Sequence, residues 1–216
     1  VRSDNNSPRS ASCASKRRDG RLVVVTGRSR TGKSRYVAGA TAGARRLLVY
    51  DPKGDPRDYP GTHATRSPRA LAGALAKAAA GPGRYRLIDT GAAHFERFCA
   101  TAIAWGVGYG PIVVVADELA EVTSPGKAPR AWGRLVRQGL GFGIDIYAIT
   151  QRPAESDKTT IGAFSEWVTF GLQRRADRTY VAGELDLDPA QIAALRPLHG
   201  LAVIPGGRPR PVRVGA

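Results

Sequence analysis

Apolar residues along this chain of 216 residues gather in short unbroken runs, and the segments between them carry apolar residues at helical spacing. The runs are LVVVT (22–26), RLLVYD (46–51), RYRLID (84–89), PIVVVAD (111–117) and IDIYAIT (144–150). Continuous apolar runs without alternation predict strands covered on both faces, as in a parallel sheet. Helices are predicted over 33–45, over SPRALAGALAKAAAG (67–81) with its Ser cap and Gly stop, over HFERFCATAIAW (94–105) and over APRAWGRLVRQGL (128–140). Such alternation implies right-handed crossovers and a three-layer α/β domain with a mainly parallel central sheet. Past Gln151 the rhythm loosens. EWVTFGL (166–172) and GLAVIP (200–205) read as further strands, and PAQIAALRPL (189–198) as a helix opening on Pro189.

Residues 1–20 are polar, Ser-rich and basic, which predicts a disordered arm ahead of a single domain over 21–216. They contain no apolar core segment of the kind a secretory signal needs. The uncharged stretch 99–116 has the length to prompt a membrane check, but Gly106, Gly108, Gly110 and Pro111 interrupt it. It reads as a helix end, a turn and a buried strand, and no integral membrane segment is expected.

Directly after the first run comes GRSRTGKS, residues 27–34. It fits G-x-x-x-x-G-K-[ST] between a strand and a helix, the setting in which that pattern cradles phosphates. Glycines let successive N–H groups face phosphate oxygens, and the helix N-terminus adds its positive end. Gly27, Arg28, Ser29, Arg30, Thr31 and Gly32 would form the cradle. Lys33 would reach the β- and γ-phosphates of ATP, and Ser34 would hold Mg²⁺.

The fourth run ends in Asp117 and Glu118. Carboxylates at the carboxyl end of a parallel strand lie on the ligand side of the sheet. Asp117 would orient the metal, and Glu118 would act as general base toward the attacking water. The fifth run stops on Thr150, Gln151 and Arg152. An amide at that place can donate to phosphate and accept from water, so Gln151 is a candidate sensor of the γ-phosphate.

The formal net charge of +15 favours polyanionic partners. Arg also outnumbers Lys, as GC-rich codon usage would produce. Cys13 and Cys99 form no paired framework, pointing to a reducing compartment, and His63, His94 and His199 lack metal-ligand spacing.

Taken together, GRSRTGKS, VYDPKGD (49–55), VVVADE (113–118) and RQGLGFGIDIYAITQRP (137–153) resemble the FtsK–HerA superfamily of hexameric DNA-pumping ATPases, over most of residues 20–215. DPKGD is similar to the corresponding stretch of conjugative coupling proteins, and LRPLHGLAVIPGGRPRPVRV (195–214) to the superfamily's last strands. The resemblance implies a RecA/ASCE-like P-loop NTPase, with the glutamine strand between the two nucleotide strands. It implies ATP sites at the subunit boundaries of a homo-hexameric ring, each completed by a neighbour's arginine. Members often carry that arginine where this chain has Leu140. Arg137, about one turn earlier, is the first substitute, with Arg174 and Arg175 next.

The small size is similar to genome-packaging ATPases of membrane-containing icosahedral viruses. Their likeness implies a packaging motor acting on double-stranded DNA, with a capsid or portal-vertex protein, in the host cytoplasm and at the virion vertex. Basic loops 53–69 and 123–130, the latter with Lys127 and Arg130, are candidate pore loops. The rivals are a plasmid or chromosome DNA-transfer ATPase of the same superfamily, a P-loop small-molecule kinase, and a nucleic-acid-binding protein with a vestigial site.

Overall fold

All five residues of Leu22–Thr26 (β1) are buried, as an unbroken apolar run requires of a strand with neighbours on both sides and cover on both faces. The computed structural model describes residues 18–215. Most of the expected basic arm, and Cys13 within it, therefore lies outside the described residues.

The other strands are Arg46–Asp51 (β2), His63–Thr65 (β3), Gly83–Ile88 (β4), Val113–Ala116 (β5), Asp145–Thr150 (β6), Glu166–Phe170 (β7), His199–Val203 (β8) and Arg210–Arg213 (β9). They form one sheet in the order β3-β4-β2-β5-β6-β1-β7-β8-β9. Pairing is parallel from β3 through β7, while β8 and β9 are added antiparallel. The glutamine-bearing β6 lies between β5 and β1, the order that the family resemblance implied.

The helices are Lys33–Ala40 (α1), Pro68–Ala78 (α2), Ala92–Tyr109 (α3), Arg130–Arg134 (α4), Lys158–Gly162 (α5), Arg175–Leu185 (α6) and Pro189–Ala193 (α7). Alternate residues of β1 serve two cores. Leu22 and Val24 join the larger one with Phe95, Phe98, Trp132 and Trp167, to which α2 through α7 contribute. Val23 and Val25 join the smaller one with Val37 of α1, Tyr59 and Phe170. The helical cover is therefore uneven: α2 through α7 lie on the face of the larger core, and α1 with the segment around Tyr59 shields the other.

Three expectations are corrected. The helix read over 128–140 is broken into α4, a π-helical turn at Leu135–Gly139 and a 3₁₀ turn at Leu140–Phe142, ending at Gly143 with φ 77°. Gly133 and Gly139 weaken regular helix there. α3 runs on through Gly106 and Gly108 to Tyr109, because its packing outweighs glycine propensity; a Cβ at Gly106 would lie 2.5 Å from Ile144 Cδ1. The loop read over 53–69 contains the edge strand β3 and the start of α2. Helices α5 and α6 went unread; β9, within the stretch likened to the superfamily's last strands, is flanked and interrupted by prolines, which an edge strand tolerates. Among the described residues, no helix is long and apolar enough to cross a membrane.

Candidate nucleotide site

Because Thr26 pairs with Thr150 and Ala116 with Ala148, strands β1, β5 and β6 present their carboxyl ends along one edge of the sheet. The sequence-predicted residues follow those ends. The loop after β1 turns through Gly27 (φ 154°), Arg30 (φ 61°) and Gly32 (φ 108°). A Cβ at Gly27 would stand 2.7 Å from Phe170 Cβ and 2.8 Å from Thr31 Oγ1, and one at Gly32 would stand 3.0 Å from Leu198 Cδ2. Only glycine permits both the turn and the approach.

The loop is braced from the antiparallel side of the sheet. Arg28 N donates to the Gly171 carbonyl at 2.9 Å, and Leu198 N donates to the Thr31 carbonyl at 3.0 Å. Val214, just after β9, donates through its N–H to the Leu198 carbonyl and lies against Gly32. Within the loop, Thr31 Oγ1 and Lys33 Nζ both donate to the Arg28 carbonyl, at 2.7 and 3.0 Å. Arg28, Ser29 and Arg30 are exposed and Ser34 is half-buried. α1 starts after Gly32 without a side-chain cap, which leaves its first amides to a ligand.

A cavity of about 570 Å³ opens here, with Ser29, Arg30, Gly32, Lys33 and Ser34 on one side and Lys53, Asp55 and Asp58 on the other. Lys33 is only 5% exposed, and burial, partly countered by Glu118, lowers its ammonium to about 8. A buried cation, a glycine-built concavity and free amides together fit a polyphosphate.

Asp117 is fully buried. Its Oδ2 accepts from the Tyr59 hydroxyl at 3.0 Å and its Oδ1 from Glu118 N at 2.9 Å. Burial is the chief reason its carboxyl rises to about 6, against the pull of Lys53. Glu118 adopts φ 51°, ψ 53° and is 5% exposed. Its Oε1 accepts from both Gln151 Nε2 and Lys53 Nζ, each at 2.5 Å. The ends of β5 and β6 thus meet through a carboxylate and an amide.

Lys53, read in the sequence only within DPKGD and the candidate pore loop 53–69, lines this cavity instead. It is set by a turn in which Asp51 Oδ1 accepts from the N–H groups of Lys53 and Gly54, both at 3.0 Å. Asp51 Oδ2 receives Arg86 Nη1 at 3.2 Å, and the same nitrogen donates to the Asp55 carbonyl at 2.8 Å. The signals were present: Asp-Pro-x-Gly after a strand marks a turn, and an arginine inside the run RYRLID needs a buried partner.

Arg137 is exposed, and its guanidinium lies beside Gly133. Among the described residues it makes no hydrogen bond or ion pair, and the fold does not bring it to the cluster in its own chain. Arg174 is held by Glu155 and Asp177, and Arg175 is exposed at the start of α6. Leu140 packs against the larger core. No group of three or more His, Cys, Asp or Glu among the described residues could hold a metal. A cation would have to rely on Ser34, Asp117, water and phosphate oxygens, a set that suits Mg²⁺.

No protein-family model matches the chain. Protein P9 of Pseudoalteromonas phage PM2 is 31% identical over 175 residues, covering 80% of this chain and 78% of that protein. The genome packaging NTPase B204 of Sulfolobus turreted icosahedral virus 2, solved with ATP-gammaS, superposes with a TM-score of 0.73 at 14% identity, covering 90% of this chain and 97% of B204. The pCW3 conjugation coupling protein TcpA superposes with a TM-score of 0.56 at 16% identity, covering 90% of this chain and 60% of TcpA. At such identities the likeness is one of fold, and the fold is that of the P-loop packaging ATPases.

Proposed function

This chain belongs to the family of Protein P9 of phage PM2, and from that premise we propose that it is an ATP-driven translocase of double-stranded DNA that packages a viral genome. The observation that carries the proposal is the contact of Gln151 with Glu118, one strand from the cavity that holds Lys33. A P-loop kinase of small molecules gains nothing from a carboxylate and an amide there, since it must keep water from the γ-phosphate. A hydrolase needs a base and a group that registers the terminal phosphate.

In this reading the loop Gly27–Ser34 holds the phosphates of ATP, with Lys33 at the β- and γ-groups. Ser34 and Asp117 hold Mg²⁺, which would neutralise charge on the phosphates. Glu118 takes the proton of the attacking water, and Gln151 reports the γ-phosphate to β6. Residues 21–216 act as one motor domain, repeated in a homo-oligomeric, hexameric ring around DNA. Arg137 of each subunit completes the neighbour's site; its lack of a hydrogen-bond or ion-pair partner among the described residues suits that role better than the paired Arg174. Lys127 and Arg130, both exposed, supply phosphate contacts in the pore. A capsid or portal-vertex protein seats the ring, in the host cytoplasm and at the virion vertex.

The deciding variant is Glu118→Gln. It should bind ATP as the wild type does while turnover, with or without duplex DNA, falls at least about 100-fold. Turnover that survives the change removes Glu118 as the base.

A further inference from the structure

None of the roles above involves Lys53, yet it lines the same cavity as Lys33, and its ammonium lies 2.5 Å from Glu118 Oε1. Its two ends differ in freedom. The backbone is pinned by Asp51, which accepts from the N–H groups of Lys53 and Gly54, and Asp51 is pinned in turn by the buried Arg86. The side chain is 40% exposed, and its one ion pair among the described residues is to Glu118. A four-carbon stem on a rigid base can turn its charge from one anion to another across a short distance.

The anions on offer are unequal. Asp55 is engaged by Arg57 at 2.6 Å, and Glu118 Oε1 is already shared with the Gln151 amide. A terminal phosphate on the Lys33 loop would bring more negative charge and more acceptor oxygens than a single shared carboxylate.

We propose that Lys53 is a ligand of the terminal phosphate: when a nucleoside triphosphate binds, its ammonium leaves Glu118 for the γ-phosphate oxygens. The exchange couples two events. The triphosphate gains a cation that a diphosphate cannot reach, and Glu118 Oε1 loses a donor at the moment it must accept a proton from water. After hydrolysis the ammonium returns to Glu118. The inference rests on the cavity being the ATP site.

Equilibrium binding of ATPγS and of ADP to the full chain tests it, with Lys53→Ala, Lys53→Arg and Lys33→Ala beside the wild type. Lys53→Ala should weaken ATPγS about tenfold or more and leave ADP within about twofold, with Lys53→Arg restoring part of the loss. Equal weakening of both nucleotides, or of neither, overturns the proposal. Retention of both nucleotides by Lys33→Ala would instead overturn the ATP site itself, so the two failures are told apart.

Discussion

An ammonium group prefers water, and Lys33 has given most of it up for one hydrogen bond, to the Arg28 carbonyl. Its proton leaves near pH 8 in the folded chain against about 10.5 in an unfolded one. Between those values unfolding takes up a proton, so raising the pH through that window stabilises the nucleotide-free fold. Lys33→Met should therefore be the more stable protein at neutral pH, by up to roughly 3 kcal/mol, and its advantage should shrink as pH climbs from 8 toward 10.5. Urea titrations across the window measure this; a gain independent of pH would show that Lys33 bears no burial penalty.

Single residues also mark how far the sequence could be read. Lys33 was legible from the G-x-x-x-x-G-K-S spacing, and Glu118 and Gln151 because each follows an apolar run, where a polar side chain is out of place unless something needs it. Lys53 and Tyr59 were not. Both lie in a Pro- and Gly-rich segment whose Asp-Pro-x-Gly turn is legible, but which side chains it carries to the cavity and to Asp117 is set by Arg86 and the small core, distant in sequence.

Among the elements, strands were read well because burial on both faces imposes an unbroken apolar run. Helices were read less well where glycine stands at a contact. α3 and β6 approach through Gly106, and the fully buried Ile144 that faces it also lies 3.4 Å from the Cβ position of Gly139. Ile144 has nowhere to retreat. Gly106→Ala should destabilise the fold by about 1–3 kcal/mol despite alanine's better helix propensity. Gly108→Ala, with nothing within 4 Å of its Cβ position, should stabilise by up to about 1 kcal/mol. Chemical denaturation of the pair gives the comparison, and like signs for both would show that the close approach is not strained. The same crowding explains the π turn: with Gly139 against Leu135 and Ile144, the chain takes a wider coil where a regular helix was expected.

At the scale of the molecule, the heavy helical layer lies on one face of the sheet while the nucleotide cavity opens at a strand edge beside α1. In the ring proposed here each cavity needs a neighbour, and two inactive subunits can repair one another. Arg137→Ala keeps its own Lys33, Glu118 and Gln151, and Glu118→Gln keeps Arg137. Mixing the two variants should restore part of the ATPase activity that each lacks alone. No recovery in mixed rings, or full activity of Arg137→Ala by itself, removes Arg137 from the neighbour's site.

The bracing of the phosphate loop by Leu198 and Val214 has a practical corollary. A dye or affinity handle attached near Val214 would press on the peptide that shapes Gly32 and would perturb nucleotide affinity. One attached at the exposed Asp19, ahead of β1, enters at the opposite end of the strands. Labels for watching this protein at work belong there.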